Sequence, residues 1–353
     1  MDYFSPIVFC FMVSFMAIKI SKPLAVRFGL VDLPNERKFH KGAIPLVGGV
    51  GIYLGVLIAS MIYFQDNQVF HIYLISAALI LFLGVLDDKY DLSVGLRLVA
   101  QIIVASMMIF GAKFYLHSLG FIFGFFELKL GYLGILVTIV AVIGAINAFN
   151  MVDGIDGLAG MLSLVSFFVL SLLFYRANSD WYLLPLLFMA AICAYLVFNL
   201  SLLTSLGKIF MGDAGSMLIG LTIVWLLVIG TSPEVNAFKP VTALYIIAIP
   251  LMDMAAIMYR RVKKGVSPFQ PDRNHLHHIF QRAGLSRRQT LGLITFLACV
   301  WGSIGFIAEA YMFPEWLMFA IFIVMFLAYA WCISHIWVVL RFFRRPKQDS
   351  ETL

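Results

Sequence analysis

The sequence predicts an all-α integral membrane protein of about eleven transmembrane helices, and three observations carry that reading. Of 353 residues, 62% are hydrophobic and only 12% charged, against roughly 45–50% and 25% in ordinary soluble domains. Apolar runs of about 20 residues, the length that crosses a bilayer as a helix, recur from end to end. The basic residues fall between those runs and mostly on one side, as in a chain threaded through a membrane.

The candidate spans are residues 3–20, 46–64, 69–86, 96–115, 133–150, 158–175, 181–200, 215–230, 240–259, 290–308 and 316–340. The first run follows Met1-Asp2-Tyr3-Phe4, which lacks the positive n-region of a signal peptide, and no small-residue cleavage site comes after it; it is read as a span. Pro250, inside the ninth run, predicts a bent helix and a lateral groove for a lipid chain, because proline removes a helical N–H and crowds the preceding turn. Residues 116–132 alternate aromatic residues with glycine and predict a small hairpin. Residues 1–353 are expected to form a single polytopic membrane domain.

With the N-terminus outside (periplasmic) and the C-terminus cytoplasmic, the cytoplasmic loops are 21–45, 87–96, 150–157, 200–214 and 260–289, with a basic tail at 341–353. Together with Arg97 at the edge of the second loop these hold 20 lysines and arginines, and the opposite side holds 4. The net charge of +6 therefore reads as topology and as anion handling at a lipid bilayer. No basic patch interleaved with aromatics is present, so nucleic acid is not an expected partner. Cys10, Cys193, Cys299 and Cys332 lie in apolar runs without a C-x-x-C pair and are read as packing residues.

Every polar cluster of interest falls on the cytoplasmic face. The central one is Asn147-Ala-Phe-Asn-Met-Val-Asp-Gly-Ile-Asp-Gly-Leu158, which presents Asn150, Asp153 and Asp156 between two apolar runs. Unpaired charge beside a bilayer is expensive. Gly154 and Gly157 would let backbone N–H groups and a helix N-terminus face an anion, although a capped turn explains the same residues. In Asp87-Asp88-Lys-Tyr-Asp91, helical spacing puts positions 87 and 91 on one face, to address a hard cation or to end a helix in water. Asp213 stands between Gly212 and Gly215, where it can hold Mg²⁺ near phosphate or simply cap the next span.

Six converging carboxylates would repel one another and raise their own pKa values unless a divalent ion joined them. Oxygen-only ligands favour Mg²⁺ or Mn²⁺ over zinc. His275, His277 and His278 have no cysteine nearby and do not form a standard structural zinc set. Beside Arg260, Arg261, Lys263, Lys264 and Arg273 they are read as N–H donors to a diphosphate. Acidic loops next to a basic loop at headgroup level suit phosphoryl transfer between a soluble and an embedded anion, a reaction that needs mainly positioning and charge neutralisation.

Five motifs follow in order: Asp32-Leu-Pro-Asn-Glu-Arg-Lys38, Asp87-Asp88-x-x-Asp91, Asn147 to Gly157, Phe210-Met-Gly-Asp-Ala-Gly-Ser216 and His275-Leu-His-His278. Together they resemble the polyprenyl-phosphate N-acetylhexosamine 1-phosphate transferases, of the glycosyltransferase family 4 type, and most of all their bacterial GlcNAc-transferring branch. The resemblance covers nearly the whole chain. It implies eleven spans in a bacterial inner membrane, Mg²⁺ or Mn²⁺ as cofactor, and transfer of GlcNAc 1-phosphate from UDP-GlcNAc to undecaprenyl phosphate with release of UMP. That would be the first membrane step of an O-antigen or common-antigen type glycan, and it leaves a homodimer open.

By the same resemblance Asp213 is the expected metal ligand. Asp87, Asp88, Asp91, Asp153 and Asp156 are the expected catalytic set, with Asp87 and Asp88 where the lipid phosphate is deprotonated or oriented. Lys41, Asn150, Arg261, His275, His277 and His278 are expected to bind substrate. Acidic Asp91 and the Leu276 that interrupts the histidines favour a simple N-acetylhexosamine over UDP-MurNAc-pentapeptide. An intramembrane prenyltransferase has no use for the histidine loop. A transporter needs ionisable groups near the bilayer midplane, and only Asp253 comes close.

Overall fold

The computed structural model describes residues 4–34, 42–63, 67–268 and 275–335. Helix α1 (Phe4–Phe28) leads to the two-residue strands β1 (Val31–Asp32) and β2 (Ile44–Pro45), then to α2 (Gly48–Tyr63), α3 (Gln68–Tyr90) and α4 (Val94–Ser106). After α4 a single π-helical turn covers Met107–Gly111. The middle of the chain forms α5 (Leu133–Val152), α6 (Leu158–Arg176), α7 (Leu183–Asn199) and α8 (Gly212–Thr231). Helices α9 (Pro240–Ile246), α10 (Ala248–Lys263), α11 (Leu276–Arg282), α12 (Arg287–Ala310) and α13 (Glu315–Ser334) complete the described chain.

Among the described residues, nine helices are long and apolar enough to cross a membrane, or ten if the bent pair α9–α10 is one span. Helix α2 is apolar but has only 16 residues. The all-helical, multi-pass class expected from composition is therefore the class observed, and each expected apolar run has a helical counterpart.

Helix α8 is the axis of the bundle. Of its apolar window 94% is buried, against 17% of that of α13, so α8 is walled in by protein while α13 turns most of its surface outward. Small residues allow the close approach. A Cβ on Gly49 of α2 would overlap the backbone of Gly215, and one on Gly220 would stand 2.6 Å from the Cα of Ile146 in α5.

The bend expected at Pro250 is a break, and it lies upstream of the proline. Helices α9 and α10 meet at 84° about Ile247. In a continuous helix the Ile246 carbonyl would accept from the N–H of residue 250, which proline lacks. That carbonyl instead accepts a hydrogen bond of 2.9 Å from Ser166 Oγ of α6. The chain turns where its own backbone bond is missing and a neighbouring helix supplies the replacement.

Two loop features were underspecified by pattern. The β1–β2 ribbon was not expected; it and the start of α2 are joined to the stretch before α8 by main-chain bonds: Phe210 N–H to Pro45 O at 2.9 Å, Gly48 N–H to Phe210 O at 3.0 Å, and Gly49 N–H to Met211 O at 3.1 Å. The hairpin expected at 116–132 is present in outline, with Leu119 N–H to Leu128 O at 3.0 Å and an antiparallel bridge between Ser118 and Lys129.

Replacing Ser166 by alanine is expected to strand the buried Ile246 carbonyl and to cost about 1–3 kcal/mol, read as a lower Tm of the detergent-solubilised protein. Ser163→Ala is the control: its hydroxyl bonds only to the Ala159 carbonyl one turn back in the same helix, a contact whose loss leaves Tm nearly unchanged.

Candidate active site

One end of the bundle opens into a cavity of about 890 Å³. Its walls come from separate chain segments: Asp87, Asp88 and Asp91 at the end of α3, Asn150 in the last turn of α5 and Asp153 to Asp156 after it, and Lys208 and Phe210 to Asp213 before and within the start of α8. His278, Gln281, Arg282 and Arg287 close the far side, from α11 and the start of α12. Four of the five expected cytoplasmic loops thus meet at one cleft, and Asp32 and Leu46 bring the first loop to its edge.

The cleft is built on the N-terminus of α8. Gly212 has φ +73°, a left-handed conformation that favours glycine, and a Cβ there would strike the Asp88 carboxylate. Asp88 accepts from the N–H groups of Asp213 at 2.8 Å and Ala214 at 3.2 Å, so a carboxylate of one helix caps the first turn of another. Asn150 Nδ2 donates to Asp213 Oδ1 at 2.8 Å and to Ser216 Oγ at 3.1 Å, which ties α5 to the same turn. Asp213 is thereby fixed by three helices.

The turn after α5 supplies two more carboxylates. Asp153 is exposed to the cavity, and desolvation by the surrounding walls followed by the charges of Asp213 and Asp156 pushes its pKa up to about 7. Asp156 is paired with Lys208 Nζ at 2.6 Å. Asn199, at the end of α7, holds this turn to the next loop: its Oδ1 accepts from Gly157 N–H at 2.7 Å and its Nδ2 donates to Ile209 O at 2.9 Å.

The shared helical face expected for Asp87 and Asp91 does not form. Helix α3 ends at Tyr90, and Asp91 takes a left-handed φ of 51° as its C-cap. Buried Asp87 accepts from Leu92 N–H at 2.8 Å and pairs with Arg97 at 3.0 Å, so its carboxylate braces the start of α4. All three aspartates still line the cavity.

The three histidines occupy different places. His278 lines the cavity together with Arg282, one turn further along α11. His277 is buried against Gly154, where a Cβ would collide with its ring, and its Nε2 has no hydrogen-bond partner among the described residues. Desolvation, then the neighbouring His278 and His275, lower its pKa to about 3, so it is neutral at any working pH. His275 is buried with its Nδ1 2.7 Å from Asp253 Oδ2. Arg261 is also buried, donates to the Pro268 carbonyl at 2.6 Å and is not part of the cavity wall. Lys41 lies outside the described residues.

Lys208, Arg282 and Arg287 complete the cavity; in the sequence they are indistinguishable from the other basic residues of the loops, which topology explains. The spacing of His278 and Arg282 was the available signal, since residues four apart share a helix face. Among the described residues no three His, Cys, Asp or Glu side chains form a ready metal cage. Crowded oxygen donors without a closed cage fit a hard divalent cation that keeps water and substrate phosphate in its shell.

Comparison with known proteins agrees with this geometry. The chain is 48% identical over 344 residues to an undecaprenyl-phosphate alpha-N-acetylglucosaminyl 1-phosphate transferase of Yersinia pestis, covering 97% of this chain and 94% of that one. The protein so described in Escherichia coli K12 is 46% identical, covering 98% and 94%, and that of Haemophilus influenzae is 45% identical, covering 97% of both. The profile of Glycosyl transferase family 4 matches residues 70–231, which hold Asp87, Asp153 and Asp213. A helical bundle carrying these carboxylates at one end and this similarity over nearly its full length belongs to glycosyl transferase family 4.

Proposed function

We propose that this enzyme transfers GlcNAc 1-phosphate from UDP-GlcNAc to undecaprenyl phosphate, giving undecaprenyl-diphosphate-GlcNAc and UMP, at the cytoplasmic face of a bacterial inner membrane. The relatives carry that acceptor and that sugar phosphate in their names. The observation that supports it most directly is the single cavity in which Asp88, Asn150, Asp153, Asp156 and Asp213 face Lys208, His278, Arg282 and Arg287. Such a cavity can hold two anions side by side, because fixed cations neutralise one while the acidic wall takes a metal ion.

In the reaction an oxygen of the lipid phosphate attacks the β-phosphorus of UDP-GlcNAc in line. A new P–O bond forms to the lipid phosphate, the α,β-bridging P–O bond breaks, and the bridging oxygen leaves on UMP. Arg282, Arg287 and His278 bind the diphosphate from one side, and Lys208, oriented by Asp156, approaches from the other. Asp88, immobilised by two backbone N–H groups, and Asp87, immobilised by Arg97, orient the acceptor phosphate and take up its remaining proton. A bound Mg²⁺ or Mn²⁺, held by Asp213, would supply charge neutralisation on the diphosphate. Asn150 sets the rotamer of Asp213 for that task.

Purified protein incubated with labelled UDP-GlcNAc, Mg²⁺ and undecaprenyl phosphate is expected to yield UMP and a chloroform-soluble sugar lipid; release of UDP, or no turnover, overturns the reading. Asp87→Asn, Asp153→Asn and Asp213→Asn are each expected to cut kcat by about a hundredfold or more with the protein still inserted, and near-normal rates in all three would refute the site.

Asp153 stands close enough to Asp213, the expected metal ligand, for the two charges to interact, so a proton on Asp153 weakens the field that draws the cation. With a carboxyl raised to about 7, the substrate-free enzyme is expected to bind Mn²⁺ more weakly as pH falls from 8 to 6, taking up a proton as metal is lost. Electron paramagnetic resonance of free Mn²⁺ measures this, and Asp153→Asn should lessen the dependence without abolishing it, since burial also raises the carboxyls of Asp88, to about 8, and Asp213, to about 6; a pH-independent affinity in the parent protein contradicts it.

A further inference from the structure

The reading of the cavity as a UDP-GlcNAc site leaves one buried acid unused. Asp253 lies in α10, is only 1% exposed, and is surrounded by the apolar residues of a membrane-embedded helix. Such a carboxylate is tolerated only with partners, and it has three, from two other elements. His275 Nδ1 is 2.7 Å from Oδ2, and Oδ1 accepts from Leu276 N–H at 3.0 Å and from Tyr329 Oη, on α13, at 2.7 Å.

Two of these partners are the first residues of α11, a helix of seven residues. Helices this short do not hold their own shape in water, and His275 at the N-cap makes no capping bond with its side chain. Asp253 performs that capping from outside, on the Leu276 N–H. One turn further on, Ile279 packs with Ala256 of α10 and Ile333 of α13 in a small apolar cluster of its own. Helix α11 is thus attached at two points, one polar and one apolar, to the same pair of helices.

What the polar point controls is the direction of the residues beyond it. The His275 and His277 rings lie parallel, 6° apart in plane, and His277 rests on Gly154 of the acidic turn. His278 and Arg282 then project into the cavity.

We propose that Asp253 is a positioning residue for nucleotide binding: through His275 and the Leu276 N–H it fixes α11 so that His278 and Arg282 meet the diphosphate, with Tyr329 locking its carboxylate. His275 is by this account part of the latch rather than a contact of the substrate.

The test is steady-state kinetics on the full-length protein with each substrate varied in turn. Asp253→Asn and His275→Ala are expected to raise KM for UDP-GlcNAc about tenfold or more while leaving KM for undecaprenyl phosphate within about twofold. His275→Asn, whose amide Nδ2 can donate to Asp253 where Nδ1 did, is expected to retain a KM near that of the parent. Equal loss in His275→Asn and His275→Ala overturns the proposal, as does a fall in kcat alone or an equal rise in both KM values. If Asp253→Asn is not recovered folded, the His275 pair decides.

Hydrogen exchange supplies a readout independent of turnover: the amides of α11 should lose protection in Asp253→Asn while those of α8 do not. A parent enzyme that neither binds nor turns over UDP-GlcNAc sinks the functional reading; an active parent with unchanged KM in the variants sinks only the role of Asp253.

Discussion

The constraint on which the structure depends is the capping of α8 by Asp88. A carboxylate from one helix reaches the two leading N–H groups of another, and it can do so only because residue 212 is a glycine with φ +73°. The capped turn carries Asp213, and Asn150 approaches it from α5. Mutually repelling carboxylates would otherwise drift apart. Backbone dipoles and amide donors hold them at the end of the most deeply enclosed helix of the bundle, where desolvation also makes them receptive to a cation.

The basic side of the cavity is held differently. Helix α11 has seven residues, and its placement comes from α10 and α13 rather than from its own hydrogen bonds. The fold therefore joins a rigid acidic floor, fixed by three long helices, to a basic wall whose orientation is set by contacts from outside. Asp253 belongs to that second arrangement. Its three partners account for an acid inside an apolar helix without a translocation path, so the feature that most favoured a transporter is explained by the packing of the histidine segment.

Much of this was legible in the residues. Apolar runs of membrane length mark helices because a bilayer admits little else, and each expected run has one. The motif loops were expected to meet because they alternate with those runs on one expected face, and residues of several of them line one cavity. What was not legible depends on partners distant in sequence. Pro250 signals a lost hydrogen bond, but only Ser166, on another helix, reveals that the chain breaks at Ile247. Asp87 and Asp91 share a face only while the helix continues, and it stops at Tyr90. Lys208, Arg282 and Arg287 were hidden among basic residues that topology alone explains. Asn199, which ties two loops by both ends of its amide, sits at the end of an apolar run and gives no signal there.

The join of the β1–β2 ribbon and the start of α2 to the approach to α8 uses peptide groups alone, at Gly48, Gly49 and Phe210. Peptide bonds are indifferent to the side chains they carry, proline excepted where an N–H is engaged. Gly48 and Gly49 are the fixed points, since a Cβ on either would strike Met211 or Gly215; Phe210 joins through its backbone alone, so the rim can vary there without rebuilding of the frame.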